Sequence, residues 1–529
     1  MKSCAVIIDA RFWGWPVLCL WLAISNLGAT SPFEAVTDPV PTSHVDELVL
    51  TQLKAQNIAP ARICSDAVFV RRVYLDVLGI LPTAAEAQQF IVDHQPDKRR
   101  VLIDRLLARD EYADYLTLKW ADLLRIKAEF PINLWPNAAQ AYHRWVREAM
   151  RNDTPLDQFA CELLTASGSN FENPPVNFYR AMPNRTPAGI AQTVALTFLG
   201  ERAEHWPTNQ LADWSVFFAN LGYKSTGEWK EEIVYFNLAA TNAGALNGVA
   251  RAAVLPDGTH VNLQPTQDPR LIAAGWLVKN PQFARSIANR AWYWLLGRGL
   301  VEEPDDFRAD NSPSNPELLD YLAQQLVASG YDFKQLYRLI LNSQTYQRAA
   351  IPADSNPAAA ANFAYYPLQR LDAEVLIDVV DQLTGGTEKY SSAIPEPYTF
   401  IPDNVRSVAL PDGSITSSFL ELFGRPPRDS GRANERNNHI TAAQKLTLLN
   451  SSLMQKKIET SRMIEFQTAS NRPPAEIISG MYLGILSRFP TSEETATART
   501  YFQSGIGRRQ AVVDLAWALM NSTEFLYRH

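Results

Sequence analysis

The stretch FARSIANRAWYWLLGRGLVEEPDDFRADNSPSNPELLDYL, residues 283–322, decides the reading of the fold. Its first part is an amphipathic, Trp-rich helix that stops at a glycine pair, Gly297 and Gly299. Its last part opens a second helix at Asn315-Pro316, where an N-cap side chain accepts orphan N–H groups and proline at the first position loses nothing. That helix stops at Gly330. Between the two lies GRGLVEEPDDFRADN (297–311), which packs Glu302, Glu303, Asp305, Asp306 and Asp310 beside Arg298 and Arg308. A polar loop held between capped helices is the unit from which the chain is built.

The same punctuation recurs outward from this block. Thr83 with Glu86 and Thr491 with Glu494 have capping-box spacing. Thr154-Pro155 predicts a helix running to about Gly168, and Asp332 caps DFKQLYRLILNSQTY. Strand signals are sparse. AAVLPDGTHVNLQ (252–264) reads as a hairpin turning at Pro256-Asp257-Gly258, and SVALPDGSITSS (407–418) repeats that turn chemistry. The expected fold is mainly α, a multi-helical two-domain body with one or two small β-hairpin excursions. Small-residue-rich LAATNAGALNGVARAA marks a break, so the expected division is 45–240, a linker and hairpin at 241–265, and 266–529. A second linker is expected at ADSNPAAAANFA (353–364).

An internal echo links the two ends. VYLDVLGILPTAAE (73–86) resembles MYLGILSRFPTSEE (481–494). Arg99-Arg100 and Asp104 follow the first, Arg508-Arg509 and Asp514 the second, and then come Glu111-Tyr112 and Glu524-Phe525. Two copies of one helix–turn–helix cassette, packed as pseudo-symmetric partners, would account for it.

The N-terminus reads as an export signal. Lys2 and Arg11 precede the apolar run 12–24, and small or polar residues follow, with cleavage expected near Thr30. The run is short for a bilayer span, and no later stretch is long and apolar enough to make one. Cleavage would leave 47 basic against 55 acidic residues, a balance of −8 that excludes a generic nucleic-acid binder. The expected location is periplasmic, cell-surface or extracellular. Cys64 and Cys161 would remain, either bridged or free.

Several blocks together carry a family resemblance: RRVYLDVLGILPT (71–83), HRWVREAMRNDTPLDQFACELLTASG (143–168), the 283–322 block, YDFKQLYRLILNSQTYQ (331–347) and the tail LAWALMNSTEFLYRH. They resemble planctomycete-type secreted proteins that join a cytochrome-associated domain of unknown function to a planctomycete-specific one. The resemblance covers nearly all of 45–529 and implies an exported, mainly helical protein, with no reaction attached. Many relatives carry Cys-x-x-Cys-His after the segment matching AQTVALTFLG (191–200); this chain has GERAEHWPTNQ (200–210) instead. Relatives also often have cysteines where GRANER (431–436) stands. Covalent haem needs two thiols and an axial histidine, so no cofactor is expected here.

The acidic loop admits three readings. Asp305, Asp306 or Asp310 could act as acid or base, or supply oxygens to Ca²⁺, or Asp306 or Asp310 could brace the loop by pairing with Arg290, Arg298 or Arg308. Arg290, Trp292, Arg298, Arg308 and Asn311 are also candidate ligand contacts, as are Arg425 and Arg428 beside a Pro-Pro loop. Trp292 and Trp294 face opposite sides of their helix, so one packs inward and the other lines a groove or meets a neighbouring domain. Further charged sets stand in apolar context: Arg71, Arg72 and Asp76, the second and third an i,i+4 pair; Trp120, Asp122 and Arg125; Arg370, Asp372 and Glu374; and Glu435 and Arg436. Together they suit an anionic or polyhydroxylated ligand. His205, beside Glu201 and Glu204, is a weak metal candidate. No P-loop, dinucleotide fingerprint or hydrolase elbow occurs. Two functions stay open: a binding or assembly component engaging a protein partner or polysaccharide, and a hydrolase or lyase on extracellular polysaccharide using the 305–310 carboxylates.

Overall fold

The structure is a computed structural model, and it describes residues 31–35, 40–238, 251–469 and 472–529. The export signal and its cleavage site lie outside these residues, as do residues 241–250 of the expected linker. The described residues hold 23 helices, with 53% helix against 7% strand. The mainly helical reading is correct.

Local signals set the element ends. Thr83 and Thr491 each accept from the N3 amide while Glu86 and Glu494 reach back, completing both capping boxes. Asn315 and Asp332 cap Pro316–Ala328 and Phe333–Leu341. The Pro281–Leu296 helix begins at Asn280 and ends at Gly297, whose φ of 71° is left-handed. That glycine also admits the Gln369 side chain, which an added Cβ would strike. The Thr154-Pro155 helix is shorter than expected: Leu156–Thr165, with Pro155 at the cap position and no side-chain cap bond.

Among the described residues, three small antiparallel sheets decorate the helices. Strand Glu232–Phe236 sits between Gly168–Ser169 and Leu221–Ser225. The expected hairpin forms from Arg251–Val254 and His260–Leu263. The second expected hairpin does not. Ser407–Ala409 is a 3₁₀ turn and Ser418–Leu422 a helix. Its Asp412 is buried and accepts the amides of Ala128 and Ser414, so the Pro-Asp-Gly turn is spent on tertiary packing. The third sheet is a two-residue ladder, Gln369–Arg370 against Tyr527–Arg528, with Arg370 opposite Tyr527.

Two apolar cores form. The larger draws on residues 45–366 plus Leu483. The smaller draws on residues 371–526 plus Leu75, Leu81, Tyr115 and Leu118. The helices Asp66–Leu78 and Asp110–Leu123 thus serve both cores. Asp66–Leu78 is buried on every side from Val68 onward, so its Arg71, Arg72 and Asp76 are enclosed. A buried charge must be paired or solvated by dipoles, which forces a polar network at the junction. The two echo segments also meet there: Arg71 donates to the Ile485 and Phe525 carbonyls, both at 2.9 Å.

Candidate functional site

A cleft of about 740 Å³ opens where the two cores meet the 369–370/527–528 ladder. Its walls include Lys119, Asp122, Tyr293, Trp294, Arg370, Asp372, Arg436 and Arg528, with the lip formed by Glu302, Glu303, Arg432 and Asn434.

The floor is one ion-pair network. Asp372 accepts from Lys119 at 2.7 Å, Tyr115 at 2.9 Å, Arg528 at 3.0 Å and Asn438 at 2.8 Å. Burial alone would raise its carboxyl; Lys119, Arg436 and Arg528 outweigh it and hold it well below the usual range. Arg528 also reaches Asp76 at 3.1 Å, and Asp76 accepts the Tyr346 and Tyr366 hydroxyls. Asp122 takes Arg428 at 2.9 Å and Arg436 at 2.7 Å; burial raises it, and the two guanidiniums bring it below normal. Arg436 further pairs with Glu374, which Arg425 approaches at 3.5 Å.

Cations outnumber anions here. Lys119, Arg370, Arg425, Arg428, Arg436 and Arg528 face Asp76, Asp122, Asp372 and Glu374. Arg370 binds only carbonyls and an amide oxygen, of Phe423, Asn437 and Asn438. Its Nη1 has no hydrogen-bond partner among the described residues, and neither does Nε of Arg528. Arg370 and Arg528 are 2% and 3% exposed, yet both line the cleft. An orphaned guanidinium N–H is costly unless an acceptor reaches it.

The acidic loop forms the lip. Asp305 is fully buried and accepts from Arg202 at 3.2 Å and from the Ala433 amide at 3.1 Å. Glu303 pairs with Arg202 and takes Asn434. Asp306 lies 3.8 Å from Arg202 and 3.4 Å from Arg308, while exposed Asp310 is 3.5 Å from Arg308. Asn311 donates to the Glu302 and Asp306 carbonyls and closes the loop. None of Asp305, Asp306 and Asp310 lines the cleft; Glu302 and Glu303 do. Burial raises the Glu302 carboxyl, and pushes nearby Tyr293 up to about 12.

The other singled-out residues divide. Arg290 lines the cleft but spends itself on the Leu196 and Thr197 carbonyls, which a π-helical turn at Ala195–Leu199 frees. Burial brings its pKa down to about 10. Trp292 is buried against Phe363, and Trp294 packs on Trp120 and Phe333 while lining the cleft. Arg298 stays half-exposed outside the cleft. Arg425 donates to the Ile415 and Asp412 carbonyls. His205 is exposed on a 3₁₀ turn, and no cluster of three metal-ligating side chains occurs among the described residues. Cys64 and Cys161, the cysteines among the described residues, carry free thiols. The Arg72–Asp76 pair is not made: Arg72 donates to the Tyr346 and His529 carbonyls instead.

The segments 200–206 and 431–436, noted above for their missing cysteines, converge on the lip. Arg432 meets Glu204 at 2.5 Å, and both segments grip the loop through Arg202 and the Ala433 amide. Lys119, Tyr293, Arg202, Arg432 and Asn438 had no local signal; the tail block did contain Arg528.

Residues 44–208 match PSCyt2, a protein of unknown function (DUF1549), and residues 269–502 match PSD1, a protein of unknown function (DUF1553). No curated protein and no solved structure matches the chain. The charged cleft is therefore a feature of a chain that belongs to the proteins pairing a PSCyt2 domain with a PSD1 domain.

Proposed function

We propose that the protein is an exported binding or assembly component whose cleft holds an anionic, hydroxyl-bearing ligand such as a uronate-containing saccharide. The observation that carries this reading is the pair of buried guanidiniums, Arg370 and Arg528, which belong to the cleft wall and each keep one N–H without a hydrogen-bond partner among the described residues. Forked donors suit a carboxylate, and the surrounding Asn434, Asn437, Asn438 and Gln369 supply both donors and acceptors for hydroxyls. The N-terminal pattern of Lys2, Arg11 and the 12–24 apolar run supports export. No helix among the described residues is long and apolar enough to cross a membrane.

Calorimetric titration of the protein with methyl β-D-glucuronide and with neutral methyl β-D-glucoside tests the reading. The glucuronide should bind and the glucoside bind at least tenfold more weakly. Arg432→Ala, at the half-exposed lip, should weaken the glucuronide several-fold without unfolding the protein. Equal binding of the two sugars, or none, would overturn it.

One observation favours the catalytic alternative in a changed form. Glu302 has a raised carboxyl and Asp372 a depressed one, a split that suits an acid and a fixed carboxylate in polysaccharide cleavage. Reducing-end release from a uronate polymer that Glu302→Gln abolishes would support it; no release by the wild type would end it.

A further inference from the structure

We infer that the ligand of this cleft carries an apolar arm, and that the arm lies in a second hollow on the far side of the 369–370/527–528 ladder. The inference rests on the binding reading above and adds the ligand's shape. A hollow of about 230 Å³ lies there, walled by Phe33, Val68, Ile351, Leu368, Tyr527 and His529, and its accessible wall is nearly all carbon.

Leu368 and Tyr527 border both the hollow and the charged cleft. The ladder is therefore a partition, and these two side chains are its crest. Leu368 is 55% exposed and Ile351 42%, so the crest and the outer wall present apolar surface to water. Such surface beside a polar cleft marks a binding face.

The carboxyl and imidazole side chains at the hollow, Glu524 and His529, are already engaged. Glu524 is held by Arg488 at 2.7 Å. The His529 ring packs edge-on against Phe33, and burial, with Arg71 and Arg72 behind it, pushes its pKa down to about 3, so it is neutral at physiological pH. Ordered water needs two or more polar partners, and this wall gives few.

The two walls together narrow the ligand class. Arg370 follows Leu368 by two residues along the chain, roughly 7 Å in an extended strand. Arg528 follows Tyr527 directly. A ligand that fills both hollows must join a charged group for the guanidiniums to an apolar group for the crest. A hexuronic acid with its carboxylate toward Arg370 and Arg528 and a hydrophobic aglycone over Leu368 meets that requirement. Neutral, purely polar saccharides do not.

Titration of the full chain with methyl and phenyl β-D-glucuronide tests this. The phenyl glycoside should bind about tenfold tighter, since burying an aryl group removes apolar surface from water. Ile351→Asp, a partly exposed residue of the hollow alone, should erase that gain and leave methyl glucuronide affinity unchanged. Equal affinities in the wild type would overturn the arm while leaving the cleft reading intact. A phenyl gain that survives Ile351→Asp would overturn it too, because the arm then sits elsewhere. Failure of both glucuronides to bind would overturn the cleft reading and this inference together.

Discussion

Helices Asp66–Leu78 and Pro474–Leu486 are the same length, end in the same left-handed cap and lead to the same capping box, yet only the first carries buried charges. The caps are Gly79 at φ 62° and Ser487 at φ 60°. Position for position, Arg71, Arg72 and Asp76 of the first correspond to Ser479, Gly480 and Gly484 of the second. Both cassettes also bridge a matched pair of glutamates with an arginine, but from different places. Arg109 joins Glu86 and Glu111 in the first; Arg488 joins Glu494 and Glu524 in the second. The backbone plan is repeated while the chemistry is not. One copy feeds the cleft floor, and the other serves as a packing partner that receives Arg71 on its carbonyls.

Paired substitutions can break or sharpen this contrast. The largest effect is expected at the matched positions 76 and 484. Asp76→Ala strips Arg528, Tyr346 and Tyr366 of a buried acceptor and should cost about 4 kcal/mol by chemical denaturation. Gly484→Ala should stabilise by up to about 1 kcal/mol, since nothing lies within 4 Å of an added Cβ. Equal losses at both would mean that the copies are not functionally divided.

The bridging arginines come next. Arg488→Ala removes a side chain only 6% exposed and leaves two carboxylates unpaired, at a cost of about 3 kcal/mol. Arg109→Ala, 31% exposed, should cost under about 1 kcal/mol. A thermal-melt comparison that reverses this order would place the firmer brace in the first copy.

The smallest effect concerns the seam. His529 sits near Arg71 and Arg72 of one copy and Arg488 of the other, and its pKa is down to about 3. The unfolded chain takes up this proton near pH 6.5 and the folded chain does not. Stability is therefore lost as pH falls from about 6.5 toward 3, on the order of 2 kcal/mol by pH 5. His529→Gln should flatten that part of the stability–pH curve, and an unchanged slope would remove the seam from the account.

Helix limits were legible where the determinant is local. Thr83/Glu86, Thr491/Glu494, Asn315 and Asp332 each act within four residues, and each caps as read. The two Pro-Asp-Gly turns show the limit of that logic. Asp257 accepts from Thr259 in a surface hairpin, whereas Asp412 is drawn inside by the Ala128 amide, far away in the chain. The site follows the same rule. The loop at 302–310 drew attention because its charges are dense in sequence, but it forms the lip. The floor is assembled from single residues hundreds of positions apart: Asp122 with Arg428 and Arg436, Asp76 with Arg528. The charged sets around residues 72, 122, 372 and 436 could be named from the sequence. Their convergence, and the part of Lys119, depends on packing that no local pattern records.

Residue 76 meets residue 528 across a sequence separation of 452. The floor thus exists only when both cores are docked, and anything bound there favours the docked state by mass action. Ligand occupancy should therefore stiffen the joint between the two lobes, so that protection from proteolysis at their seam becomes a readout of the guest.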